Sequence, residues 1–153
     1  MKMNAQNFLI PIIISNVFAL ILIFICYKWP KAGKITWGVL FILAGAFNIY
    51  TVLSNPHIYV EAFGPTAVFS FYRDFIYGLF SRYTAVFVML IGFGQILSGF
   101  LLLMPNLWFR CGVIGGTVFL IAIAPLGVGS AFPSTLFMGV SQGLLWRKWK
   151  SRE

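Results

Sequence analysis

The stretch CGVIGGTVFLIAIAPLGVGSAFPSTLFMGVSQGLL, Cys111 to Leu145, decides how this chain folds. It is apolar from end to end, yet APLGVGSAFP in its middle carries Pro and Gly too densely for one continuous helix. Read as a single membrane span, it leaves the basic tail WRKWKSR across the membrane from the other basic loops, against the bias of Lys and Arg toward the cytoplasmic side. Read as two short spans, near Leu107–Ala124 and Ser130–Arg147, it returns the tail to that side. A spanning helix needs at least about 17 residues, which both segments just reach. The rival arrangement has four spans, with Ser134–Trp149 lying on the outer surface.

A membrane setting follows from composition. The 153 residues are 60% hydrophobic and only 9% charged, with mean hydropathy +0.92, whereas soluble domains are roughly 25% charged. The net charge of +8 does not point to nucleic acid, because the basic residues flank apolar segments and form no polar domain. Cys26 and Cys111 form no CxxC motif and read as two buried small side chains.

Working outward, Phe8–Tyr27 is a first, uncleaved span, with Pro11 in its first turn. The basic KWPKAGK, Lys28–Lys34, is an inner loop. Ile35–Leu53 is the second span, Ser54–Arg82 an outer loop, Tyr83–Met104 the third span and PNLWFR, Pro105–Arg110, an inner turn. The expected fold is therefore all-α, a transmembrane bundle of five spans. Residues 1–34 form the first helix and basic loop, 35–148 a four-helix domain, and 149–153 a basic tail. The N-terminus lies outside and the C-terminus in the cytoplasm. Eight basic residues then fall inside (Lys28, Lys31, Lys34, Arg110, Arg147, Lys148, Lys150, Arg152) and three outside (Lys2, Arg73, Arg82). Trp29, Trp37, Trp108, Trp146 and Trp149 gather at the inner boundary, and Tyr50, Tyr59, Tyr72, Tyr77 and Tyr83 at or beyond the outer one, as interfacial anchors do.

Lipid competes with Leu for Leu, so helix pairing in a bilayer relies on small residues and buried hydrogen bonds. Val88, Gly92, Gln95 and Gly99 share one face of the third span. Gly38 and Gly45, Gly112, Gly115 and Gly116, and Gly139 and Gly143 read as further close-packing surfaces. Asn48, Gln95 and Gln142 should point inward, either as interhelical hydrogen bonds or as a ligand-binding ladder. The charge-free spans argue against proton pumping or ion coupling.

The outer loop holds all but one of the acidic residues and the only histidine. Asn55-Pro56 and Gly64-Pro65 are turns, and His57 and Glu61 sit four apart on HIYVEAF. From Thr66, an apolar stripe of Phe69, Tyr72, Ile76, Leu79 and Phe80 reads as an interfacial helix, or as the outer extension of the third span, and the loop as a cap over the bundle. His57 and Glu61 have the chemistry of an acid–base pair, and Arg73 that of a carbonyl or anion holder, with Asp74 beside it. The plainer reading is a solvated loop with one Arg73–Asp74 pair.

Residues 35–148 resemble the DoxX-like group of small bacterial membrane proteins. The likeness rests on GVLFILAGAFNIY, NPHIYVEAFG, FYR at Phe71–Arg73, and GFGQILSGFLLL followed by a short turn and a Gly-rich helix. It implies a four-helix bundle in the bacterial inner membrane, with the first helix added here, and association with membrane redox or quinone-linked systems. That family often carries Glu where this chain has Gln95.

Three functions compete. The first is a non-catalytic membrane subunit or lipophile-binding bundle, taking a quinone or other lipid in a groove of Asn48, Gly92, Gln95 and Gly99, with Tyr72 in the cap. The second is an enzyme acting on a lipophile through His57, Glu61, Arg73 and Asp74. The third is an assembly protein whose glycine faces take a partner subunit or a second copy. No metal or fixed cofactor is implied.

Overall fold

The computed structural model describes residues 6–150, so Lys2, Arg152, Glu153 and the end of the basic tail lie outside the described residues. The chain is helical throughout, with no strand among the described residues. Seven α-helices follow one another: α1 Gln6–Lys28, α2 Pro30–Ser54, α3 His57–Phe63, α4 Ser70–Phe75, α5 Thr84–Leu103, α6 Asn106–Ile123 and α7 Ser134–Lys150. A π-helical turn, Ile76–Phe80, extends α4, and a tight 3-10 segment, Ala124–Ser130, follows α6. Among the described residues four segments are long and apolar enough to cross a membrane: Leu9–Lys28, Pro30–Ser54, Thr84–Leu103 and Asn106–Gly127. Helix α7, at 17 residues, is not among them.

Prolines punctuate these helices. Pro30 opens α2, where its missing N–H costs nothing, and Pro56, Pro105 and Pro133 precede α3, α6 and α7. Pro11 differs from expectation: α1 begins at Gln6, so Pro11 lies inside the helix and not in its opening turn. Asn16 and Ser15 donate to the Ile12 carbonyl at 2.8 and 3.0 Å, satisfying both side chains within α1 itself.

The central seam joins α2 to α5. A Cβ on Gly45 would meet the Gly92 carbonyl oxygen at 2.5 Å, and one on Gly99 would meet the Gly38 carbonyl oxygen at 2.6 Å. These two glycine pairs, seven residues apart on each helix, let the backbones approach without lipid between them. Gly112 packs in the same way against the backbone of Leu101 and Leu102, carrying α6 onto α5. Gly139 and Gly143 overturn the expectation, since nothing lies within 4 Å of either would-be Cβ. Helix α7 instead buries Ser134, Thr135, Ser141, Gln142 and Leu145, because hydroxyls and amides find no partners in hydrocarbon. Cys111 is likewise exposed, on the outward face of α6, while Cys26 is buried as expected.

One end of the bundle is basic and rich in indoles. The Lys34 ammonium donates to the Met104 carbonyl at 2.8 Å and stands 4.5 Å from the Trp149 ring centroid and 5.1 Å from that of Phe109. It therefore caps the C-terminus of α5, where the helix dipole favours a cation. Helix α2 reaches back to include Lys31 and Lys34, so the expected charge-free second span is longer and carries a buried lysine at its end. Arg110 stands over Trp146 and Lys148 over Tyr27. The C-terminal end of α7 thus meets the α1–α2 and α5–α6 turns, and α7 packs against α1 and α6. Around the outside, Leu, Ile, Val and Phe side chains of α1, α2, α5 and α6 are exposed in numbers that a water-facing surface of this size does not carry.

Candidate functional site

The end opposite the lysines is closed by α3, α4, the π turn and the 3-10 segment. Two loops hook together there. The Thr66 hydroxyl approaches the carbonyl oxygens of Leu126 and Ala62, each at 2.9 Å, and the Val68 N–H donates to the Pro125 carbonyl at 3.0 Å. Gly127 makes this approach feasible. Its φ of 75° suits glycine, and a Cβ there would fall 2.0 Å from the Thr66 carbonyl oxygen. APLGVGSAFP is therefore a break in the helix, as its composition predicts, and also the latch of the cap.

Beneath the latch lies a cavity of about 380 Å³. Tyr59 and Phe63 of α3, Tyr72 and Phe75 of α4, Phe80 of the π turn, Phe87 of α5 and Phe119 of α6 supply its aromatic wall. Asn48, Tyr59, Tyr72 and Ser130 are its lining residues with polar side-chain groups. The π turn builds part of this wall. In a π turn residues five apart stack, which brings Phe75 and Phe80 together with ring centroids 6.0 Å apart. A regular α-helix would rotate Phe80 away from Phe75 by on the order of a third of a turn.

Behind the wall runs a hydrogen-bonded chain. The Tyr59 hydroxyl donates to Asn48 Oδ1 at 2.9 Å, and Asn48 Nδ2 donates to Gln95 Oε1 at 2.7 Å. Burial pushes the Tyr59 phenol above its ordinary range, and a Thr51 hydrogen bond pulls it partly back, so it remains a neutral donor. Asn48→Leu strips both neighbours of their partner, and it should destabilise the bundle by about 1–2 kcal/mol. The shift of a denaturation midpoint in detergent measures this.

The cavity opens between the cap-side halves of α5 and α6, where two lining residues, Ile91 and Ala122, are exposed. Tyr72 leans over this mouth and donates to the Ala122 carbonyl at 3.2 Å.

The expected site residues separate into three groups. Asn48 and Tyr72 line the cavity, and Gln95 stands directly behind Asn48, 5% exposed. Gly92 and Gly99 do not line it: the α2–α5 seam consumes both, so the expected groove along that face is closed by the Gly45 and Gly38 backbone. His57, Glu61, Arg73 and Asp74 are all exposed and none lines the cavity. Among the described residues neither His57 with Glu61 nor Arg73 with Asp74 forms an ion pair. Arg73 donates instead to the Ala67 carbonyl at 3.3 Å. The third polar residue of the ladder, Gln142, is wholly buried on α7, and its amide has no hydrogen-bond partner among the described residues.

Sequence reasoning missed Tyr59, Phe63, Phe75, Phe80, Phe87, Phe119 and Ser130 as lining residues. The density of aromatic residues from Tyr59 to Phe87 was the available signal, but their facing depends on the π turn. Comparison of the chain with family models, with curated proteins and with solved structures finds no match.

Proposed function

We propose that the chain is a five-span membrane protein that holds an uncharged lipophile in its outer cavity, as a non-catalytic subunit or carrier rather than through the outer-loop charges. The observation that carries this reading is the cavity itself. It has the volume of small-molecule sites, a wall of aromatic rings, a few fixed polar groups, and no charged side chain among its described lining residues. Its mouth between α5 and α6 faces where acyl chains would lie, so the ligand comes from the bilayer. Exposed Phe69, Phe71 and Leu79 support α4 and its π turn as an interfacial layer over the mouth.

The fifth span is α7. Its 17 residues are about 25 Å of helix, and the preceding residues 130–133 extend its reach. The basic, indole-rich end is cytoplasmic by the charge bias and the cap faces outward, in a bacterial inner membrane. This arrangement accords with the DoxX-like resemblance, in which α2, α5, α6 and α7 form the four-helix body. In a background lacking Cys26 and Cys111, His57→Cys and Arg147→Cys should react with an impermeant maleimide from opposite sides of sealed vesicles. Labelling from the same side would remove the fifth span.

Mass spectrometry of the purified protein tests the binding itself. A neutral lipid should co-purify at near one per chain and survive detergent exchange. A lipid-free protein that takes up none on reconstitution would end this reading. The open face at Gly139 and Gly143 favours a second reading, a partner helix or second copy docked on α7. That reading predicts a stable hetero- or homo-oligomer whether or not lipid is bound.

A further inference from the structure

The cavity's hydrogen-bonding polarity narrows the ligand class, an inference that rests on the lipophile reading. Three hydroxyl-bearing residues line the cavity, and each hydroxyl already donates its single proton to the protein. Tyr59 donates to Asn48 Oδ1 at 2.9 Å, Tyr72 to the Ala122 carbonyl at 3.2 Å, and Ser130 to the Ile123 carbonyl at 2.7 Å. The Tyr59 oxygen also accepts from Thr51, so what Tyr72 and Ser130 have left to offer a ligand is lone pairs. Asn48 has one amide hydrogen committed to Gln95 and its carbonyl oxygen committed to Tyr59, which leaves its second amide hydrogen as a donor.

A ligand carbonyl accepts hydrogen bonds and gives none. Of the groups here it can use only the free Asn48 N–H, and it leaves the hydroxyl acceptors unmet. A ligand hydroxyl both donates and accepts, and it meets the acceptors and the single donor without disturbing any internal bond. The absence of charged side chains among the described lining residues disfavours carboxylates, phosphates and amines, whose ionised forms would lose their hydration uncompensated. The aromatic wall favours rings over straight acyl chains. We infer that the cavity selects an uncharged, ring-bearing lipid alcohol or phenol over the corresponding ketone.

A matched pair tests this: trans-4-phenylcyclohexanol and 4-phenylcyclohexanone, which differ only in the oxygen function. Binding of each radiolabelled probe to the immobilised full chain in detergent is measured, and each affinity is corrected for that probe's own detergent partition. The alcohol should bind about tenfold more tightly, the equivalent of the one neutral hydrogen bond that it donates and the ketone cannot. Equal affinities, or a tighter ketone, would overturn the selectivity while leaving the lipophile reading in place. Failure of both probes to bind above their partition would overturn the lipophile reading together with this one.

Discussion

Gly45→Val should abolish stable folding of the central helix pair. The new Cβ falls 2.5 Å from the Gly92 carbonyl oxygen and 2.7 Å from an Ile96 side-chain carbon. The first obstacle is backbone in the middle of α5, so no rotamer change relieves it. Relief requires α2 and α5 to separate along the seam where Gly38 and Gly99 also meet, and lipid chains would enter the gap. Overpacking of a built core costs about 1–3 kcal/mol when side chains can yield, and a backbone obstacle should lie at or beyond the top of that range. Gly143→Val is the matched control. It adds the same atoms on α7, where nothing lies within 4 Å of the new Cβ, and a change at such a site is expected to stay within about 0.5 kcal/mol. Thermal unfolding in one detergent reports both.

Val88→Trp should empty the cavity of its ligand without unfolding the protein. Val88 is buried on α5 and lines the cavity, so the added ring has open volume to occupy. Bound lipid should fall at least tenfold, a loss of about 1.4 kcal/mol or more, while thermal stability without added lipid holds or rises as the void fills. Ile121→Trp serves as the comparison. Ile121 is 60% exposed on α6 and is not among the lining residues, so that variant should retain its lipid. Equal retention by the two variants would show that lipid on the outer surface, and not in the cavity, accounts for what co-purifies.

These two positions mark what the sequence makes legible. Hydropathy and prolines place the long helices within a few residues, because a backbone in lipid must satisfy its own hydrogen bonds and has little choice but helix. The error at α2 has a simple cause. Hydropathy stops at the first lysine, but the helix continues through Lys31 and Lys34, whose side chains reach the basic end. The glycine pattern of α2 and α5 is readable because two matching faces exist in the chain. Gly139 and Gly143 have the same spacing without such a match. On α7 the polar side chains Ser134, Thr135, Ser141 and Gln142 decide which face turns inward.

The site was legible only where a polar residue sits in an apolar run, as Asn48 and Gln95 do. The expected stripe on the cap assumed a regular helix. The π turn instead leaves Phe69 and Leu79 exposed and brings Phe75 to the cavity. The charged residues His57, Glu61, Arg73 and Asp74 drew notice by their rarity. In an outer loop, however, charge has ready access to water, and these four take it.

Photolabelling tests the central claim most directly. A diazirine-bearing aryl alcohol, added to the protein in lipid bilayers and activated by light, leaves adducts that peptide mass spectrometry assigns to residues. Adducts concentrated on Tyr72, Ile91 and Ala122, and displaced by excess unlabelled probe, are the predicted result. Adducts spread evenly over these positions and the exposed face of α1 at Ile13 and Val17, with no displacement, would contradict the account.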